Sequence, residues 1–156
     1  MATFVIPFHV NGKTRLGDQG LARAMLADVQ EAAREALVVD RPGGQGAALA
    51  AALVDLSGPV TIVNSDLPCV TTAELAELTA AAPALVAAKD GTTNALALGD
   101  ARDFEPLYGA GSAARFEARL RAKVLDLPGL RDDVDTWDDL ERVRTRVGKH
   151  TRAYIA

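Results

Sequence analysis

Short apolar runs closed by turn residues alternate with longer segments whose apolar positions recur three and four apart. This change of period from two to about 3.6 predicts strands alternating with helices. TFVIPF at 3–8 reads as a first buried strand ending near Pro7, followed by the loop HVNGKTRLGDQG. Leu21, Met25, Leu26 and Val29 then fall at helical spacing within 21–36. LVVD at 37–40 is a short strand, RPGGQG a glycine-rich turn, and 47–55 a helix of small residues. Thr61, Ile62 and Val63 form a β-branched strand over 59–64, which Pro68 prevents from continuing. A helix over 72–81 follows, with Thr71 or Thr72 as its cap and Glu74 near the third helical position. ALVAAKD and NALAL are further strands on either side of the turn DGTT. YGAGS leads into a helix over 113–122, and KVLDL is a last strand. PGLRDDVDT carries turns, and a helix over 137–147 closes the chain, with the basic run 142–152 as a solvated face and a frayed end.

Early strand–helix alternation predicts a parallel sheet, and the closely spaced strands over 84–98 make it mixed. The expected class is therefore α/β: a three-layer αβα sandwich on a mixed, mainly parallel sheet, with residues 1–156 as a single domain. About half the residues are apolar, with alanine prominent and aromatics few, which suits helices packed closely on a sheet. The net charge of −4 argues against general nucleic-acid binding. The single cysteine, Cys69, has no internal disulfide partner, which fits a reducing compartment. No signal peptide or membrane-spanning run is visible, so a cytoplasmic location is expected.

Candidate chemistry begins at Asp66. It follows the strand at 59–64, and open α/β sheets bind ligands at the carboxyl ends of their strands. Asp133 and Asp135 alternate, so in extended chain both side chains share a face. Carboxylates from two distant segments can hold Mg²⁺ while it bridges phosphate oxygens. Helix capping by Asp135 or Thr136 is the plainer alternative. Gly12, Lys13 and Arg15 place positive charge and close backbone approach in the first loop, without P-loop spacing. Asp90-Gly91-Thr92-Thr93-Asn94 and Tyr108-Gly109-Ala110-Gly111-Ser112 supply hydroxyls and glycine amides suited to an anion. Ser112 serves equally well as a helix N-cap. His9 and His150 stand alone.

The ordered set KTRL at 13–16, ARAMLADV at 22–29, SDLP at 65–68, GTTNAL at 91–96, YGAGS at 108–112 and DVDTWDDL at 133–140 resembles the 2-phospho-L-lactate guanylyltransferase family. That resemblance implies a GT-A-like nucleotidyltransferase fold and a role in synthesis of the deazaflavin coenzyme F-420. It implies metal ligands at Asp66, Asp135 and Asp133, and acceptor contacts at Thr93, Asn94, Gly109, Gly111 and Ser112. It implies a nucleotide site at Gly12, Lys13, Arg15, Gly43, Gly44 and Gln45, with Lys13, Arg15 and Asp66 catalytic. GTP and a small phosphorylated acid (2-phospholactate, phosphoenolpyruvate or 3-phosphoglycerate) would be the substrates, Mg²⁺ the cofactor, and a homodimer the assembly. Gly44-Gln45-Gly46 stands where the family has Gly-Leu-Asn, Phe116 where it has His, and Trp137 where it has Pro. The chain is also shorter ahead of LVVDRPGG, so the nucleotide half is abbreviated. The other readings are a molybdopterin or sugar-phosphate nucleotidyltransferase of the same fold, and a non-catalytic nucleotide-binding protein.

Overall fold

The computed structural model describes residues 2–9, 16–41 and 44–156. In chain order its elements are β1 (Thr3–Pro7), α1 (Gln19–Ala33), β2 (Ala36–Val39), α2 (Gln45–Leu53), β3 (Val60–Val63), α3 (Thr72–Ala80), β4 (Ala84–Ala87) and β5 (Thr93–Leu98). After a 3₁₀ turn at Ala101–Asp103 come α4 (Ser112–Leu120), β6 (Lys123–Val124), α5 (Pro128–Arg131), α6 (Trp137–Val143) and α7 (Lys149–Ile155).

The strands form one sheet in the order β2-β1-β3-β5-β4-β6. The pairs β1–β2, β1–β3 and β4–β6 are parallel, whereas β5 runs antiparallel to both β3 and β4. The expected mixed, mainly parallel sheet is therefore present. Successive strand residues point to opposite faces, and each face is covered by helices. Ile6, Val63, Val86 and Ala95 pack under α1 and α3, on one face. Val5, Ile62, Leu85 and Leu96 pack under α2 and α4, on the other. This is the three-layer arrangement. A smaller cluster joins Met25 of α1 to Cys69, Val134, Leu140 and Val147.

Several local expectations change. Pro128-Gly129-Leu130-Arg131 is a short helix rather than a turn, with proline in its first turn, where a missing N–H costs nothing. KVLDL contributes only two strand residues, because Pro128 ends the run. The final helix stops at Val143, and the basic tail is not frayed. It folds as α7 against α1, because buried Asp28 accepts hydrogen bonds from the backbone N–H groups of His150 and Thr151 (2.9 and 3.0 Å). Tyr154 adds a bond from its hydroxyl to Asp18 (2.7 Å), the N-cap of α1. Thr71 caps α3 with Glu74 in a reciprocal capping box, as its sequence predicts. Among the described residues no helix is long and apolar enough to cross a membrane.

Candidate active site

β3 delivers its carboxyl end to the rim of the sheet, and Asp66 lies three residues beyond it. The 132–136 segment returns to the same corner because the Val134 amide donates to the carbonyl of Asp66 (3.0 Å). One atom from each of Asp66, Asp133 and Asp135 then lies within 4.8 Å of the other two. The two acidic stretches, far apart in sequence, meet here.

The electrostatics of this corner are unfavourable without a cation. Asp66 Oδ1 is buried and has no hydrogen-bond partner. Burial, followed by the charges of Asp133 and Asp135, holds the Asp66 carboxyl well above the usual carboxylate range. Burial also pushes Asp133 up to about 6, against a lowering hydrogen bond from Asn94. An orphaned buried oxygen facing two more carboxylates is a donor set suited to a hard divalent ion. The residues present fit one.

The supporting contacts fix this geometry. The Asn94 amide donates to the Arg131 carbonyl (2.9 Å) and to Asp133 Oδ1 (3.2 Å). Asn94 is almost fully buried, and its bond to Asp133 gives it a supporting place behind that carboxylate. Thr136 caps α6, and Asp139 completes the box by accepting from the backbone N–H groups of Asp135 and Thr136 (both 3.0 Å). Capping thus falls to Thr136 and Asp139, which leaves the Asp133 and Asp135 carboxylates in the acidic cluster.

β5 is antiparallel to β3, so its first residue opens at the same rim. There Thr93 Oγ1 and Ser112 Oγ lie 2.9 Å apart, both buried. Ser112 is not the N-cap of α4; Gly111, in a left-handed conformation (φ 74°), holds that position. The Ser112 hydroxyl is thereby released from capping and pairs with Thr93 instead. Gly109 is also left-handed (φ 111°), which an L side chain rarely adopts. Arg115 pins this loop by donating to the carbonyls of Leu107, Tyr108 and Ala110. Tyr108 meets buried Phe116 edge-on, with ring centroids 5.2 Å apart.

On the β2 side, Gly44 is the N-cap of α2 without a side-chain capping bond, and Gln45 begins the helix. Gln45 Nε2 donates to Asn64 Oδ1 (2.8 Å). Gly12, Lys13, Arg15 and Gly43 lie outside the described residues. Sequence reasoning missed the cations around the acidic corner. A cavity of about 390 Å³ is lined by Asp133 and Asp135 together with Lys89, Arg131, Arg142 and Arg146. Arg131 and Arg146 both pair with Asp132, at 2.9 and 2.6 Å, whereas Lys89 has no ion-pair partner among the described residues. The available signal was position: Lys89 follows the apolar residues of ALVAAKD, beside the DGTT turn. Cys69 is buried, and burial pushes its thiol up to about 11, so it is inert. His9 is paired with Asp40 (2.9 Å) on the exposed surface.

No family model matches the chain. Among solved structures, one described as a nucleotide-diphospho-sugar transferase, from Desulfovibrio desulfuricans G20, superposes with a TM-score of 0.68. It shares 19% identity over 97% of this chain and 90% of its own. A transferase structure from Thermus thermophilus gives a TM-score of 0.54 at 20% identity, covering 90% of this chain and 100% of its own. The fold is thus that of the nucleotidyltransferase-like transferases, here with an acidic corner beside a glycine–hydroxyl loop. The phosphoenolpyruvate guanylyltransferase of Streptomyces coelicolor is 37% identical over 156 residues, covering 85% of this chain and 72% of that protein. That of Nocardia farcinica is 39% identical over 131 residues, covering 74% of this chain and only 57% of the relative. The chain belongs to the phosphoenolpyruvate guanylyltransferase family.

Proposed function

We propose that this chain transfers the guanylyl group of GTP to a small phosphorylated carboxylic acid, phosphoenolpyruvate by the names of its relatives, releasing pyrophosphate. By the family resemblance the product feeds coenzyme F-420 synthesis. The observation that carries this reading is the orphaned Asp66 oxygen facing Asp133 and Asp135, on the rim that also bears the Thr93–Ser112 hydroxyl pair.

A phosphate oxygen of the acceptor attacks the α-phosphorus in line. The bond from that phosphorus to the bridging oxygen breaks, and pyrophosphate leaves with the electron pair. The nucleophile is already anionic, so no general base is needed, in keeping with the lack of a histidine in this corner. Asp66, Asp133 and Asp135 would hold Mg²⁺, which supplies charge neutralisation and a common anchor for both phosphate groups. Thr93, Ser112 and the glycine amides of the 108–112 loop orient the acceptor phosphate. Gln45 and the open start of α2 serve the nucleotide, with Gly12, Lys13, Arg15 and Gly43 assigned there from sequence. Lys89, Arg131 and Arg146 bring positive charge toward the acceptor side. The task of the protein is to bring two anions together in register.

The test is pyrophosphate release with each of the four nucleoside triphosphates crossed with phosphoenolpyruvate, 2-phospholactate and 3-phosphoglycerate. Release with GTP and one acid, dependent on a divalent cation, is the expected result. Release with a sugar phosphate or molybdopterin instead, or with no pairing at all, would refute it.

A further inference from the structure

A line of polar groups crosses the carboxyl rim from α2 to α4. Gln45 Nε2 donates to Asn64 Oδ1 (2.8 Å), Asn64 Nδ2 donates to the Thr93 carbonyl (3.1 Å), and Thr93 Oγ1 meets Ser112 Oγ (2.9 Å). The direction of these bonds is forced. A backbone carbonyl only accepts, so the nitrogen of Asn64 must face Thr93. Its oxygen therefore faces Gln45, and Gln45 must donate through Nε2. That leaves Gln45 Oε1 as the acceptor at the start of α2, a helix whose N-cap glycine supplies no capping side chain. Asn64 is further anchored by its own N–H, which donates to the carbonyl of Asn94 (3.0 Å).

We propose that Asn64 is a positioning residue that couples the nucleotide subsite to the acceptor subsite; this rests on the function proposed above. The residue joins neither the acidic corner nor the hydroxyl pair, but its one amide spans the gap between Gln45 and the Thr93 backbone. A nucleotide that engages Gln45 holds the Asn64 amide in place. That amide in turn holds the Thr93 backbone and the hydroxyl pair that receives the acceptor. The second substrate then meets groups already ordered, and by linkage each ligand tightens the other to the same extent.

The test measures phosphoenolpyruvate binding calorimetrically with Mg²⁺ present, with and without a GTP analogue carrying methylene between the α and β phosphorus atoms. Wild type should bind the acid about tenfold more tightly when the analogue is present. Asn64→Asp keeps the shape and still accepts from Gln45, but cannot donate to the Thr93 carbonyl. It should retain each ligand alone within about threefold while the mutual tightening falls below about twofold. Gln45→Ala should weaken the acid in the wild-type background with the analogue bound, and should not in the Asn64→Asp background. Asn64→Ala, checked for an unchanged fold by circular dichroism, should repeat the result. Tightening that survives in both Asn64 variants overturns the coupling while leaving the functional reading intact, as does its absence from wild type. Wild type that binds neither ligand overturns both.

Discussion

Asp66 occupies a position that a folded chain would normally avoid, with a buried unbonded oxygen and two carboxylates close by. Because this corner is repulsive without a cation, Asp66→Asn should cut turnover by more than about a hundredfold while raising the melting temperature of the metal-free protein. Thermal melts in chelator beside the pyrophosphate assay check both halves. The pH dependence follows in sign. Asp66 and Asp133 have folded values above those of an unfolded chain, so protonation favours the fold. The Asp133 contribution is fully present below about pH 4 and is lost as pH rises through about 6, and that of Asp66 is lost as pH rises through its own raised value. The stabilising effect of Asp66→Asn should therefore be larger at about pH 8 than at about pH 5, and Mg²⁺ should raise the wild-type melting temperature more at the higher pH. A flat difference would contradict the assignment. Asn94→Leu removes the bond to Asp133 from behind and should weaken cation affinity about 10- to 100-fold. Isothermal titration with Mn²⁺ is the measurement. Asp66, Asp133 and Asp135 were singled out in the sequence by their order among the other motifs and the resemblance those motifs carry, since each alone reads equally well as a cap, a turn residue or a surface charge. Asn64 and Lys89 were not, because their significance lies in partners brought near only by the sheet.

The elements were mostly readable from periodicity and caps, and the exceptions share a cause. Capping boxes are local, so Thr71–Glu74 showed itself directly. The docking of α7 depends on Asp28, more than 100 residues away in the chain, and a basic tail read in isolation resembles a solvated end. Asp28→Ala should cost about 1–3 kcal/mol by stranding two helix-start N–H groups, lowering the melting temperature by about 2–12 °C. Gly148→Ala should act in the same direction, since an added Cβ would meet the Asp28 carboxylate. Ser112 was ambiguous in the sequence between a helix cap and an acceptor contact, and the left-handed Gly111 takes the cap. Arg115 holds the 107–111 loop through backbone carbonyls only. Arg115→Ala should therefore raise the KM for the acceptor several-fold with little change in that for GTP, in initial-rate measurements varying each substrate in turn.

For the molecule as a whole, the class was expected from strand–helix alternation, and the sheet, its two helical layers and the family agree with it. What alternation could not supply was the strand order, since the position of β5 between β3 and β4 is settled by pairing across the core. That single reversed strand divides the labour between the two ends of the sheet. The exit of β3 and the entrance of β5 share one margin, whereas in an all-parallel sheet the entrance would lie a strand length away, about 13–20 Å. Among the described residues the acidic corner and the hydroxyl pair lie at one end of the sheet, and Gly99 lies at the other. Gly99, on that idle side, has open space where a side chain would begin. A short flexible peptide spliced in after Gly99 should leave both turnover and melting temperature nearly untouched. The same splice after Asp90 should silence the enzyme without unfolding it, so this protein can carry cargo at one pole only.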